Sequence, residues 1–173
     1  MAARCIECGF DEDDVTAVDV AEQLSAGVSE LSDAVAAVGE VPCPVSGCWT
    51  AIEYGGHVRD MLIVQRERIL HARTVDTPPI TPMGRDDRVA WGEYDGLTAT
   101  AVTRQLGDAA DNLARTLRRL GPAEWDRRVI YNYPVRSERT LLWVAAHTVH
   151  EVVHHTFDVR RHLPGADRLG HEE

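Results

Sequence analysis

Glu151 and His155 stand four residues apart in an apolar, helix-periodic run from Leu141 to His162 that also holds His147, His150, His154 and Asp158. On an α-helix, residues four apart stack on one face with Cβ atoms ~5 to 6 Å from each other, a separation that one divalent metal can bridge. With a turn of ~100° per residue and Glu151 set at zero, Leu141, Ala145, Val149, Val152 and Val159 spread over roughly 80° to 160°. Glu151 and His155 fall at about 0° and 40°, bordering that apolar stripe, whereas His150 and His154 fall at about −100° and −60°, across from its centre. Phase therefore favours Glu151 with His155 as the inward pair and leaves His150 with His154 as the rival pair.

Two ligands do not make a site. The other histidine in a comparable pattern is His57, in Trp49-Thr-Ala-Ile-Glu-Tyr-Gly-Gly-His-Val-Arg-Asp-Met-Leu62. With His57 at zero, Tyr54, Val58, Met61 and Leu62 fall between roughly 40° and 140°, so His57 also borders an apolar stripe. Two helices packed along these stripes would bring His57, Glu151 and His155 to the rim of one cleft. Two imidazoles and one carboxylate leave a metal with open positions, the arrangement of catalytic rather than closed structural sites. Asp158, three residues past His155, is placed to orient that imidazole.

The cysteines fall as Cys5-Ile-Glu-Cys8 and Cys43-Pro-Val-Ser-Gly-Cys48. In a reducing compartment such pairs suggest metal or redox roles over disulfides. Cys5-Ile-Glu-Cys8-Gly9 has the shape of half a zinc knuckle, which makes Cys5 and Cys8 candidate ligands of a structural zinc. Cys43 and Cys48 either complete a four-thiolate set with them or are ordinary loop thiols.

Helices must position all of these groups. Val18, Leu24, Val28, Leu31, Val35 and Val38 predict a first helix over about 13–38, ended by Gly39. Thr50-Ala-Ile-Glu53 reads as a capping box that opens the His57 helix, which runs to about Arg73. Residues from about 74 to 94, with Pro78-Pro79, Pro82 and Gly84, read as a long connection in which Arg85, Arg88 and Trp91 either pack on the surface, the favoured role, or line a pocket. A third helix spans about 96–120 up to Gly121-Pro122, and its Arg115, Arg118 and Arg119 read as a solvated face. An extended excursion over about 122–137, with Trp125, Val129, Ile130, Tyr131, Tyr133 and Pro134, precedes the histidine-rich last helix at about 138–162, which ends before Pro164-Gly165. The expected fold is all-α: a four-helix bundle with long connections before and after the third helix. The chain divides into a cysteine-containing segment at about 1–12, a bundle at about 13–165 and a tail at about 166–173, without repeats or a second domain.

A chain of 173 residues with a formal charge of −10, its basic residues scattered and none of them lysine, does not present a nucleic-acid surface. No run approaches the ~18 apolar residues of a membrane span, and no charged-then-apolar leader opens the sequence. A cytoplasmic protein with a small-molecule partner is expected.

Trp49-Thr-Ala-Ile-Glu-Tyr-Gly-Gly-His57-Val-Arg-Asp and His150-Glu151-Val-Val-His154-His155-Thr-Phe-Asp158-Val resemble the DinB-like superfamily. Within it the likeness is close to the N-terminal metal-binding domain of mycothiol-dependent maleylpyruvate isomerases. The resemblance implies a bundle that binds zinc or nickel through one His on the second helix and a ligand-x-x-x-His pair on the last. Aligning the Asp158-Val159 end places that pair on Glu151 and His155. It further implies a metal-dependent transferase or isomerase with a low-molecular-weight thiol such as mycothiol as cosubstrate, in which a thiolate attacks an electrophilic small molecule. Arg59 or Arg85 would then be available to an anionic substrate, no residue is assigned as a general acid, and a homodimer is compatible with the fold. The alternative from another class is a non-catalytic metal-binding stress-response or sensing module. An open metal position facing a cleft favours the enzyme, and a fourth protein ligand such as His154 favours the module.

Overall fold

Val18, placed by the helical spacing inside the first helix, is 89% exposed. Asp19 accounts for the later start: its carboxylate accepts from the Thr16 amide at 2.9 Å and ties up the preceding turn, so α1 runs over Val20–Val38. Upstream, Asp11 caps a short 3-10 turn at Glu12–Asp14 by accepting from the Asp13 amide. The structure, a computed structural model, describes residues 4–44, 47–132 and 135–163. Tyr133 and Pro134 of the extended excursion, the Pro164-Gly165 stop and the tail at 166–173 lie outside the described residues.

The capping box is present. Thr50 Oγ1 accepts from the Glu53 amide at 3.2 Å, the Glu53 carboxylate accepts from the Thr50 amide at 2.6 Å, and α2 follows over Ala51–Thr74. Satisfying two end amides in this way fixes where the helix begins, and hence the phase at which His57 emerges two turns later. The Pro- and Gly-rich connection is not wholly irregular, because Gly84 takes a left-handed φ of 64° and starts a short α3 at Arg85–Ala90. The third long helix, α4, spans Ala99–Leu117 under a Thr98 cap. The excursion is an antiparallel hairpin, β1 at Arg128–Tyr131 paired with β2 at Ser137–Thr140. Ile130 also exchanges backbone hydrogen bonds with Pro78 and Ile80, which pins the connection before α3 to the hairpin. β2 passes directly into α5, Leu141–Arg160, where the Thr140 hydroxyl accepts from the Trp143 amide.

The long helices α1, α2, α4 and α5 form a four-helix bundle, as expected. α1 packs against α4 and α5, and so does α2, which puts the consecutive helices α1 and α2 across the diagonal of the bundle. Leu24, Leu31, Leu62, Ile69, Leu106, Leu113 and Leu141 are fully buried between the four. Because α2 and α5 are neighbours, the face that carries His57 meets the face that carries Glu151 and His155. No helix among the described residues is long and apolar enough to cross a membrane.

A polar anchor holds the connection over α2. Asp60, nearly buried, pairs with Arg59 at 2.7 Å and with Arg88 at 2.6 Å, and accepts from the Tyr94 hydroxyl at 3.2 Å. Tyr94 lies so close to α2 that a Cβ on Gly56 would sit 2.5 Å from its ring, which is why glycine occupies that position.

Candidate metal centre

His57, Glu151 and His155 come together: one ligand-capable atom from each lies within 4.8 Å of the other two. His57 is 2% exposed and His155 is 4% exposed, and their rings meet edge to face with centroids 5.0 Å apart. Glu151 Oε2 approaches His155 Nε2 at 3.7 Å.

The electrostatics of the cluster fit a set of metal ligands. Both ring nitrogens of His57 and Nε2 of His155 are buried without a hydrogen-bond partner. Leaving such groups unpaired costs roughly 1 to 3 kcal/mol each, so their presence here requires a reason. Burial first, and then the electrostatic effect of His155, Arg85 and Arg88, pushes the His57 pKa down to about 3, which leaves the ring neutral with a lone pair to donate. Asp158 Oδ2 accepts from His155 Nδ1 at 3.0 Å. Burial works against the Asp158 carboxylate, but the hydrogen bond and charge of His155, followed by His154 and Arg161, hold its pKa below the usual value. A carboxylate can only accept, so the proton sits on His155 Nδ1 and Nε2 faces Glu151 and His57. That tautomer and that second carboxylate are what a metal-ligating histidine needs. The donor set, nitrogen and oxygen with no thiolate, fits a divalent metal ion.

Two cavities meet at this cluster. The larger, about 820 Å³, is lined by Trp49, Tyr54, Glu151, His155 and Asp158. The smaller, about 390 Å³, reaches His57 and Glu151 from the side of Met61, Gln65 and Tyr131. Trp49 and Tyr54 wall the centre, with the Trp49 ring 5.2 Å from His57 and the Tyr54 ring 5.3 Å from His155. Arg85 lines both cavities and lies over the Trp49 ring.

Several expectations need correcting. Arg59 is not available to a substrate, because it is held by Asp60 and by Gln105 at 2.5 Å. Arg88 serves the same Asp60 anchor, and Trp91 is 73% exposed and lines neither cavity, in keeping with the favoured surface role. Cys43 and Cys48 are neither free thiols nor partners of Cys5 and Cys8: they are paired as a disulfide, and Cys48 lies 3.8 Å from His162 Nε2. The four-thiolate site therefore does not exist in this fold. The rival pair, His150 and His154, is not grouped with His57: residues 4–14 fold back over α5 and cover both, with Phe10 stacked on His150 at 5.5 Å. His154 turns to Cys5 and to Glu7, at 3.7 Å and 3.3 Å.

Other residues of the site escaped the sequence reading. His147 is buried, stacks on Trp143 at 4.7 Å and lies 3.8 Å from Glu151. Its spacing of four before Glu151 was a usable signal. Glu12 accepts from His147 Nδ1 at 2.8 Å, and although burial opposes it, its hydrogen bonds with His147 and His150 hold its pKa at about 2. No local pattern announces a contact between Glu12 and the last helix. Arg139 reaches the larger cavity from β2, lying 4.6 Å over the Trp143 ring.

Comparison with known proteins agrees with this architecture. A family model described as the DinB superfamily matches residues 16–157. Among solved structures, YfiT from Bacillus subtilis, described as a probable metal-dependent hydrolase with an unusual four-helix bundle topology, superposes with a TM-score of 0.68 at 18% identity, over 88% of this chain and 91% of that one. No curated protein sequence matches.

Proposed function

The chain belongs to the DinB superfamily, and from that premise we propose that it is a metal-dependent enzyme that activates a small nucleophile against an electrophilic small molecule. His57, Glu151 and His155 hold the divalent ion, zinc or nickel, and a low-molecular-weight thiol such as mycothiol is the nucleophile, as in a thiol transferase or isomerase. One observation carries the reading: three donors converge at the junction of two cavities while His154, the side chain that could close the set, faces Cys5 and Glu7. Three protein ligands with room beside them are the pattern of a catalytic rather than a structural centre.

A divalent ion bound there would supply Lewis acidity and lower the pKa of a thiol or water brought to it. The chain does the rest. Asp158 keeps the His155 proton on Nδ1 and so keeps Nε2 pointed at the centre. Trp49 and Tyr54 exclude solvent from one side. Arg85 and Arg139 place cationic groups at the larger cavity, suited to a carboxylate or another anion on the thiol or its partner.

A hydrolytic reading, with water as the nucleophile, is favoured by the description of the structural neighbour. The two separate in one assay series. Zinc- or nickel-loaded protein is expected to accelerate conjugation of mycothiol to monochlorobimane, and chelation is expected to abolish the rate. Acceleration of ester or amide hydrolysis that is indifferent to added thiol would replace the thiol with water, and no metal-dependent rate in either series would remove the enzyme reading.

Asp158→Ala tests the orienting role. Loss of such an outer carboxylate weakens metal binding by roughly 10- to 100-fold, with helix content unchanged. Competition against a fluorescent chelator reads the change, and an affinity equal to wild type would show that Asp158 has no part in holding His155.

A further inference from the structure

We propose that Cys5, Cys8, His150 and His154 form a second, structural zinc site that fastens the amino-terminal segment to the middle of α5. One ligand-capable atom from each of the four lies within 4.8 Å of the others. In a tetrahedral zinc centre, with Zn–S near 2.3 Å and Zn–N near 2.0 to 2.1 Å, sulfur and nitrogen ligands stand about 3.6 Å apart; Cys5 Sγ and His154 Nδ1 are 3.7 Å apart. His150 and His154 are four apart on one helix, and Cys5 and Cys8 are separated by two residues, the spacings found in sites of two cysteines and two histidines.

The surroundings match. Cys5 and Cys8 are free thiols. The turn that carries them closes through Gly9 N–H to Cys5 O at 2.9 Å and Cys5 N–H to Phe10 O at 2.8 Å, with Gly9 in the left-handed region at φ 74° that a side chain would resist. His150 Nε2 is buried with no partner, while its Nδ1 faces Glu12 at 3.4 Å. His154 presents Nδ1 to Cys5 and Nε2 to Glu7. His154 thus has one nitrogen toward a thiol and the other on a carboxylate, as metal-ligating histidines do, and His150 has one nitrogen on a carboxylate and the other left without a partner.

Four protein ligands leave no open position, so this site is structural where the His57 centre is open. Its work is mechanical. Cys5, Glu12, His150 and His154 all line the larger cavity, so zinc here fixes one wall of the pocket.

Cobalt substitution of the purified full chain tests the assignment, because thiolate-bound cobalt in a tetrahedral site has a sulfur-to-metal charge-transfer band that a site of histidine and carboxylate lacks. Wild type is expected to show the band, Cys8→Ser and His154→Ala to lose it together with one equivalent of zinc, and His57→Ala to keep it. Absence of the band from the wild-type protein, which needs no variant to fold, would overturn the proposal. So would a band that survives both His150→Ala and His154→Ala. The band reports on sulfur alone, and its outcome is independent of whether His57 binds a metal.

Discussion

Alanine in place of His57 is expected to remove one divalent metal per chain while leaving the metal-free fold about as stable as before. Both ring nitrogens of His57 are buried and unpartnered. Deleting the ring relieves an unpaired polar group worth roughly 1 to 3 kcal/mol and leaves a cavity whose cost is of similar size, so the two changes nearly cancel in the apoprotein. Metal binding has no such compensation. If structural zinc sites with four ligands gain ~10 to 16 kcal/mol, one ligand carries about 3 kcal/mol, roughly a hundredfold in affinity. Titration with nickel should show the loss, and the rise in melting temperature that nickel gives the wild type should vanish. A variant that binds nickel as tightly as wild type would put the centre elsewhere.

The second large effect is expected at Asp60→Ala, in stability. Asp60 is the shared partner of Arg59, Arg88 and Tyr94. Removing one member of a buried pair strands the others, at about 3 to 5 kcal/mol when both charges are fully buried. Arg88 is 31% exposed at its side chain, and water screens part of that loss, so about 2 to 3 kcal/mol is expected, equivalent to roughly 5 to 10 °C in melting temperature for a domain of this size. Thermal unfolding followed by circular dichroism measures it. A shift below about 1 °C would mean that the connection after α2 is held by something else. Because Arg85 opens α3 in that same connection, the variant should also bind anionic substrates less well.

The bundle was legible because its long helices carry their own signals. Leu106, Ala110, Leu113 and Leu117 repeat at helical spacing, and Thr50 with Glu53 marks a helix start to the residue. The start of α1 was misplaced because Val18 continues an apolar spacing that Asp19 interrupts with a hydrogen bond, and hydrophobic period cannot see a hydrogen bond. α3 was hidden by its composition, and the extended excursion was read but most of β2, at Ser137–Thr140, was assigned to the last helix. At the site, helical phase separated Glu151 and His155 from His150 and His154, since the inner pair borders the stripe that packs on α2. The same reasoning kept the outer pair only as a rival for the same metal. Nothing in α5 says that Cys5, Glu7, Phe10 and Glu12 will lie across it, because such contacts join opposite ends of the sequence and leave no periodic trace.

That α1 and α2 sit diagonally has a consequence for when the centre can exist. During synthesis His57 leaves the ribosome early, on a helix whose two neighbours, α4 and α5, have yet to be made. Until α5 emerges and docks, the nascent chain holds His57 as the one member of the proposed three-donor set, so a metal at that centre would be captured only in the closing moments of translation or after it, and a fragment ending at α4 would lack Glu151 and His155.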